Sequence, residues 1–179
     1  MRVISGIAGG RRLEAPKGDE TVRPTTDRVK EALFSIINFD LPAANVLDLF
    51  SGSGQLGIEA LSRGAKIATF VDSDFTSCEL TKKNLNTCNL SSSAKVYRAD
   101  CIAFLHGCQE QFDIAFVDPP YYLNLYEKVL PLVSTKIADG GIITCEHPSD
   151  VAVPSLEGFK QKDYKYGKIV VTVFRIEVI

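Results

Sequence analysis

Acidic side chains lie at or near the carboxyl ends of successive apolar runs of this chain, which are typical of buried strands. Four of them are Asp48, Asp72, Asp100 and Asp118, and Glu146 follows a fifth apolar run. The carboxyl ends of parallel strands meet at one edge of a sheet, where folds of this kind bind their ligands. One such acid alone is commonly a helix cap. Four at equivalent positions instead indicate a single functional cleft.

The tetrapeptide Asp-Pro-Pro-Tyr after the fourth strand indicates a particular reaction. Its members are Asp118, Pro119, Pro120 and Tyr121. A carboxylate and the next carbonyl can hold both N–H bonds of a nucleobase amino group and aim its lone pair at a methyl donor. The prolines fix these acceptors in place, which is electrostatic preorganisation. The tyrosine ring offers a face on which an extruded base can stack.

A glycine turn lies between the first strand and the first core helix, within residues 45–64. The spacing Gly52-x-Gly54-x-x-Gly57 lets the backbone approach a ligand closely at a helix N-terminus. Asp72 stands twenty residues after Gly52 and suits the hydroxyls of a ribose. This turn alone serves a nicotinamide cofactor as readily as S-adenosylmethionine, so only Asp118 to Tyr121 favours the latter.

Strand and helix signals alternate through the rest of the chain. We predict parallel strands at 45–50, 67–72, 94–98, 113–118 and 141–146, and helices near 54–63, 74–89, 101–109 and 122–137. Residues 159–164 and 169–179 predict a closing hairpin around Tyr166-Gly167. The result is an α/β fold, a doubly wound, mostly parallel seven-stranded sheet of Rossmann type with an antiparallel C-terminal hairpin.

The chain of 179 residues is predicted to form one domain. Residues 1–24 form a small basic extension with a short strand or hairpin near its start, and residues 25–179 form the core. A helix is expected to open at Thr25, Thr26 and Asp27, which are cap-forming residue types. Five cysteines without a C-x-x-C pair indicate reduced cytosolic thiols, with no zinc or other metal site. We expect a cytoplasmic monomer without a signal peptide or membrane span.

Net charge is −2, which argues against strong non-specific binding of nucleic acid by the whole surface. Charge is nevertheless uneven, because residues 1–30 hold seven Lys and Arg against four Asp and Glu. The candidate RNA-contacting residues are Arg11, Arg12, Lys17 and Arg23. A second candidate patch consists of Lys160, Lys162, Lys165 and Lys168.

Three sequence blocks together carry a resemblance to a known family. They are Arg-Pro-Thr-Thr-Asp-Arg-Val-Lys-Glu-Ala-Leu-Phe from Arg23, Leu-Asp-Leu-Phe-Ser-Gly-Ser-Gly-Gln-Leu-Gly from Leu47, and Val-Asp-Pro-Pro-Tyr from Val117. The chain resembles, over nearly its whole length, the bacterial small-subunit ribosomal RNA guanine-N2 methyltransferases of the RsmD type. The resemblance implies S-adenosylmethionine as cofactor and a guanine of 16S rRNA, in the small subunit or an assembly intermediate, as substrate.

The same resemblance implies cofactor contacts at the strand ends. The glycine loop would pass the methionine part, Asp72 would hold the ribose, and Asp100 would meet the adenine amino group. The Cys101 N–H would face an adenine ring nitrogen, and Thr25 and Thr26 would lie near the cofactor carboxylate. The full cofactor-binding set is Thr25, Thr26, Asp48, Ser51, Gly52, Ser53, Gly54, Asp72, Ser73, Asp100 and Cys101.

Two other enzyme classes share parts of this pattern. An adenine-N6 DNA methyltransferase uses a similar tetrapeptide but needs a sequence-reading domain or long loops, for which the 17 residues between Asp100 and Asp118 leave no room. A nicotinamide-dependent oxidoreductase needs a general acid, and the two histidines, His106 and His147, are expected to be structural. An oxidoreductase would also leave Asp118 to Tyr121 without a role. The same objection applies to a protein that binds a cofactor without catalysis.

Overall fold

The computed structural model describes residues 1–16, 26–120 and 125–176. Within them the sheet has seven strands in the order β3-β2-β1-β4-β5-β7-β6. Their bounds are β1 Asn45–Leu49, β2 Ile67–Asp72, β3 Ala94–Arg98, β4 Phe112–Val117, β5 Ile137–Pro148, β6 Phe159–Tyr166 and β7 Ile169–Ile176. Strands β1 to β5 run parallel, and β7 is antiparallel to both β5 and β6. The predicted fold class is confirmed.

Helices cover both faces of this sheet. They are α1 Asp27–Ile36, α2 Gln55–Ser62, α3 Phe75–Thr87, α4 Cys101–Gly107 and α5 Tyr126–Ser134, with short 3-10 turns at Asn38–Asp40 and Ser91–Ser93. The apolar faces of α1, α2 and α3 pack on one side, and those of α4 and α5 pack on the other. Because the apolar residues of β1 and β4 alternate between these two clusters, both faces of the sheet are core.

Side-chain caps define where the helices begin. The Thr26 hydroxyl accepts from the Val29 N–H (3.3 Å), and the Asp74 carboxylate accepts from the Ser77 N–H (2.7 Å). A short polar side chain at this position satisfies a backbone donor that the first helical turn leaves unpaired. The start predicted for α1 is therefore confirmed at Thr26.

Strand β5 and the helix before it differ from the prediction. The described part of the predicted helix 122–137 is α5, which stops at Ser134, and β5 begins at Ile137, four residues early. The pairing of β4 with β5 is irregular between Phe112 and Ile114, and Gly140 has a positive φ of 76°. The Gly140-Gly141 pair therefore bends a continuous strand, as in a bulge, where the sequence pattern indicated a break.

The N-terminal residues form the predicted short hairpin. Arg2 and Arg12 make an antiparallel bridge, and the Val3 N–H donates to the Arg11 carbonyl (2.9 Å). The C-terminal end of α2 holds this hairpin, because the Ile7 N–H donates to the Ser62 carbonyl (2.8 Å). No helix among residues 1–16, 26–120 and 125–176 is long and apolar enough to cross a membrane.

Candidate active site

The order of the strands reverses between β1 and β4, which lie side by side in the sheet. This is the topological switch point, outside which open parallel sheets bind their ligands. The loop after β1 and the residues after β4 therefore meet at one edge. The glycine turn and Asp118 are brought together there, 61 or more residues apart in sequence.

The loop after β1 turns sharply away from the sheet. Phe50 has a positive φ of 66°, which is rare for a bulky residue, and Gly52 and Gly54 have φ of 55° and 77°. The N–H groups of Phe50 and Ser51 both donate to the Val71 carbonyl, at 3.0 and 3.1 Å. Because Phe50 leaves the extended region, β1 ends at Leu49, one residue before the predicted end.

Polar side chains of α3 and β2 hold the backbone of this loop. The Thr81 hydroxyl donates to the Gly52 carbonyl and the Asn84 amide donates to the Ser53 carbonyl, both at 2.9 Å. Asp72 Oδ2 accepts from the Gly52 N–H at 2.9 Å. Thr81 and Asn84 were absent from the predicted site. The sequence feature that could have identified them is that both are polar residues on the face of α3 that packs inward.

Asp48 lies beneath the loop and is 2 % exposed. Its Oδ2 accepts from the Gly57 N–H at 2.9 Å. Burial, opposed by this hydrogen bond and assisted by the charge of Asp72, raises the pKa of Asp48 to about 7. A Cβ on Gly57 would come within 2.3 Å of the Phe70 ring, so only glycine allows α2 to pack this closely on the sheet.

Asp118 follows directly on β4, whose last residue Val117 pairs with Leu49 of β1. Asp118 and Pro120 are half-buried and Pro119 is buried, while Tyr121 lies outside the described residues. The pKa of Asp118 is raised well above its ordinary value by desolvation and then by the carboxylates of Glu146 and Asp48. These shifts favour the neutral acid, and a cationic group bound beside Asp118 would favour its ionised form.

The remaining predicted cofactor residues line the ends of β2 and β3. Asp72 is half-buried, and its Oδ1 also accepts from the Asp74 N–H at 2.9 Å. Ser73 and Asp100 are exposed, and Asp100 caps α4 by accepting from the Ala103 N–H at 2.9 Å. These residues form one rim with the glycine loop. Asp100 therefore lies at the strand end where it was predicted. It also caps a helix, which is the role that a single acid at such a position commonly has.

The Cys101 thiol is not a nucleophile at neutral pH. Burial, and then the charges of Asp72 and Asp100, raise its pKa to about 12, although a hydrogen bond with the Phe50 backbone opposes the shift. The thiol is therefore neutral, and a thiolate is the form that attacks. Only the backbone of Cys101 remains available for the predicted contact with a ring nitrogen.

Two buried polar atoms beside the loop indicate where a ligand fits. Ser51 Oγ and Gln55 Oε1 have no hydrogen-bond partner in the described part of the chain, and their residues are 8 % and 9 % exposed. Buried polar groups normally find a partner. The ideal Cβ position of Gly52 has no atom within 4 Å. The space beside Ser51, Gly52 and Gln55 therefore suits a ligand with polar ends and a positive centre, as S-adenosylmethionine has.

The other predicted residues lie at different distances from this cleft. Thr26 caps α1, as described above, while Thr25, Lys17 and Arg23 lie outside the described residues. Arg11 donates to the carbonyl of Thr87, the last residue of α3. Helix α3 begins at the carboxyl end of β2, beside the cleft, and runs back across the sheet. Its last residue, and with it Arg11, therefore lies at the edge of the sheet away from the cleft. Arg12 is exposed on the same short hairpin.

Glu146 also borders the site, although the prediction assigned it no role. It lies in the buried part of β5, directly after Cys145, which pairs with Val117 of β4, and it is 7 % exposed. The next residue, His147, is buried, and its ring contacts Thr172 (2.8 Å) on the neighbouring strand. His147 is therefore a structural residue, as expected.

Comparisons with known proteins agree with this geometry. The family model described as "Conserved hypothetical protein 95" matches residues 1–175. YlbH from Bacillus subtilis is 43 % identical over 163 residues, or 88 % of both chains. The ribosomal RNA small subunit methyltransferase D of Haemophilus influenzae is 43 % identical over 136 residues, or 74 % of this chain and 70 % of that protein.

A solved structure of yhhF from Escherichia coli superimposes with a TM-score of 0.88 at 30 % identity, and the match covers 100 % of this chain and 99 % of that one. The similarity thus extends over the sheet, the helices and both hairpins. This chain belongs to the "Conserved hypothetical protein 95" family, the family of the ribosomal RNA small subunit methyltransferase D proteins.

Proposed function

We propose that this chain methylates the exocyclic N2 amino group of a guanine in 16S rRNA, with S-adenosylmethionine as the methyl donor. The observation that carries the proposal is the meeting of Asp118 with the glycine loop at the switch point between β1 and β4. The substrate is the small ribosomal subunit or an assembly intermediate. Such a substrate is consistent with a cytoplasmic enzyme.

The protein's part in the reaction is to hold and orient an amino group. The Asp118 carboxylate and the Pro119 carbonyl accept its two N–H bonds, so that the nitrogen lone pair points at the donor. Bound S-adenosylmethionine supplies an electrophilic methyl group on a positively charged sulfur. Transfer would form a C–N bond as the C–S bond of the donor breaks, and the proton of the methylated nitrogen would pass to the Asp118 carboxylate that holds it. The carboxylates of Asp48, Asp118 and Glu146 offset the positive charge until that proton leaves.

The glycine loop would hold the methionine part of the cofactor, Asp72 would hold its ribose, and Asp100 and the Cys101 N–H would hold its adenine. Ser51 Oγ and Gln55 Oε1 gain partners when the methionine part is bound. Ser53, Gly54 and Ser73 would complete the contact surface, and Thr26 would lie toward the cofactor carboxylate. Because α1 leads by a short turn into the amino end of β1, its first residues point to the cleft end of the sheet.

Replacing Asp72 with alanine should weaken cofactor binding roughly ten- to a hundredfold, because a charged hydrogen-bond partner of the ribose is lost. Isothermal titration calorimetry with S-adenosylmethionine measures the effect. Asp74→Ala is the matched control, since Asp74 caps α3 through the Ser77 N–H and does not face the ribose in this proposal. Equal affinities of the wild type and Asp72→Ala would remove Asp72 from the ribose site.

RNA reaches this acidic cleft across a basic edge, which we assign to the turn between β6 and β7. Ile169 pairs with both Pro148 at the end of β5 and Tyr166 at the end of β6, so the turn lies at the cleft edge. Lys165 and Lys168 of this turn are exposed. Lys160, on the same strand, lies at the far edge, beside Arg175. Arg11 of the N-terminal hairpin also lies at that far edge. The turn between β6 and β7 is therefore the better RNA contact.

Replacing Lys165 and Lys168 together with alanine should weaken RNA binding and reduce the slope of log K against log salt by about two, one for each lost phosphate contact. Filter binding with small-subunit RNA at several salt concentrations measures the slope. The double variant of Lys160 and Lys162 makes the same charge change farther along the same strand and should shift the slope less. A larger change in the Arg11 and Arg12 double variant would instead assign the contact to the N-terminal hairpin.

The reaction itself is tested by transfer of a tritiated methyl group to small subunits from a strain that lacks this enzyme. Digestion to nucleosides then identifies the product. N2-methylguanosine is the expected product, whereas N6-methyladenosine would indicate the adenine-specific alternative. Absence of any labelled nucleoside, from subunits and from naked 16S rRNA alike, would reject the proposal.

A further inference from the structure

Glu146 and Asp118 occupy equivalent positions at the ends of two neighbouring strands. Val117 of β4 pairs with Cys145 of β5, so the next residue of each strand is Asp118 and Glu146. Parallel strands lie about 4.8 Å apart, and paired residues point to the same face of the sheet. Asp48 is on this face as well, because it pairs with Phe116, two residues before Asp118. The carboxylate of Glu146 is therefore a neighbour of Asp118 within the cleft.

Side-chain contacts on both sides hold the backbone at Glu146 in place. The Tyr126 hydroxyl donates to the Glu146 carbonyl at 2.7 Å. The His147 ring lies 2.8 Å from the Thr172 hydroxyl, which in turn donates to Asp163 at 2.8 Å. These contacts fix the backbone from which the Glu146 side chain extends, which favours a preorganised acceptor.

The Watson–Crick edge of guanine matches two adjacent acceptors. Its N2 amino group and its N1–H are neighbouring donors, whereas adenine presents its N6 amino group beside an unprotonated N1 with a lone pair. Asp118 and Pro119 suffice for an amino group alone. A second fixed carboxylate beside them gains a hydrogen bond from guanine N1–H and meets only a lone pair on adenine. The charge of Glu146 therefore favours one purine and disfavours the other.

We propose that Glu146 selects guanine by accepting a hydrogen bond from N1–H of the target base while Asp118 and Pro119 hold its amino group. This inference rests on the proposed function and names the residue that determines its base specificity. Glu146 touches the base but takes no part in the transfer. It explains why a buried acid lies beside Asp118, where it opposes the ionisation of that residue.

The test uses small-subunit RNA with a single 2-aminopurine in place of the target guanine, after the position has been mapped by labelling. This base keeps the 2-amino group but has an unprotonated N1. A site that accepts a hydrogen bond from a substrate strongly rejects an analogue that lacks the donor group. We therefore expect the kcat/KM of the wild type to be at least a hundredfold higher for guanine than for 2-aminopurine. The Glu146→Gln variant offers an amide N–H to that N1, so the preference should fall at least tenfold.

Glu157→Gln is the matched control, because Glu157 is exposed and away from the strand end. It should leave the guanine preference unchanged. Thermal unfolding and cofactor titration of each variant confirm that it is folded. A wild type that methylates both bases equally would overturn the inference without any variant, as would a Glu146→Gln variant that loses both activities in the same proportion. A wild type with no activity on guanine N2 would instead reject the proposed function.

Discussion

Replacing Asp118 with alanine is expected to lower the rate of methyl transfer by about 10²–10³, the usual effect of losing one preorganised electrostatic contact. The amino nitrogen of the base is a poor nucleophile, because its lone pair is delocalised into the ring. Without the carboxylate, only the Pro119 carbonyl remains to orient it. Single-turnover transfer of a labelled methyl group to the small subunit measures the rate.

Binding of S-adenosylmethionine should persist in this variant, because the glycine loop and Asp72 are unchanged. Removal of one of the clustered carboxylates can reduce affinity for the cationic cofactor only modestly. Asp139→Ala is the matched control, since Asp139 is exposed at the beginning of β5, at the opposite edge of the sheet. Turnover of Asp118→Ala close to that of the wild type would refute the role of Asp118.

Glu59 holds the N-terminal hairpin onto the core and is fully buried. Its carboxylate accepts from the N–H groups of Ile4 (2.8 Å) and Ser5 (3.0 Å) and from Arg63 Nε (2.8 Å). Lys30, also fully buried, lies 3.6 Å away and donates to the Arg2 carbonyl. Burial lowers the pKa of Lys30, and the charge of Glu59 opposes that shift. One acid thus joins α1, α2 and the hairpin.

Replacing Glu59 with alanine should lower the free energy of unfolding by about 3–5 kcal/mol, because Lys30 is left as a buried charge without its main partner. Urea denaturation followed by circular dichroism measures the loss. Glu79→Ala removes an exposed ion pair with Lys82 and should cost about 0–1 kcal/mol.

The double variant Lys30→Met/Glu59→Leu distinguishes the buried charge from the lost backbone contacts. It leaves no unpaired charge, so it should be more stable than Glu59→Ala. If Glu59→Ala proved as mild as Glu79→Ala, the buried network would contribute nothing to holding the hairpin.

The sequence alone determined the features that depend on neighbouring residues. Gly52, Gly54 and Gly57 marked the turn, because Gly52 and Gly54 have positive φ and Gly57 leaves no room for a Cβ. Thr26 and the hairpin at Gly167 followed from cap and turn chemistry, which acts over a few residues. Alternation of strand and helix patterns was enough for the fold class, and with it the expectation that Asp118 meets the glycine loop.

Only the tertiary structure decided which distant side chains meet. Thr81 and Asn84 reach the glycine loop, and Glu59 reaches the N-terminal hairpin, through crossings that no local pattern encodes. The register of β4 with β5 sets Glu146 beside Asp118, and a shift by one residue would turn it to the other face. The physical reason is that turns and caps depend on local backbone preferences, whereas the site depends on strand register and helix packing over the whole chain.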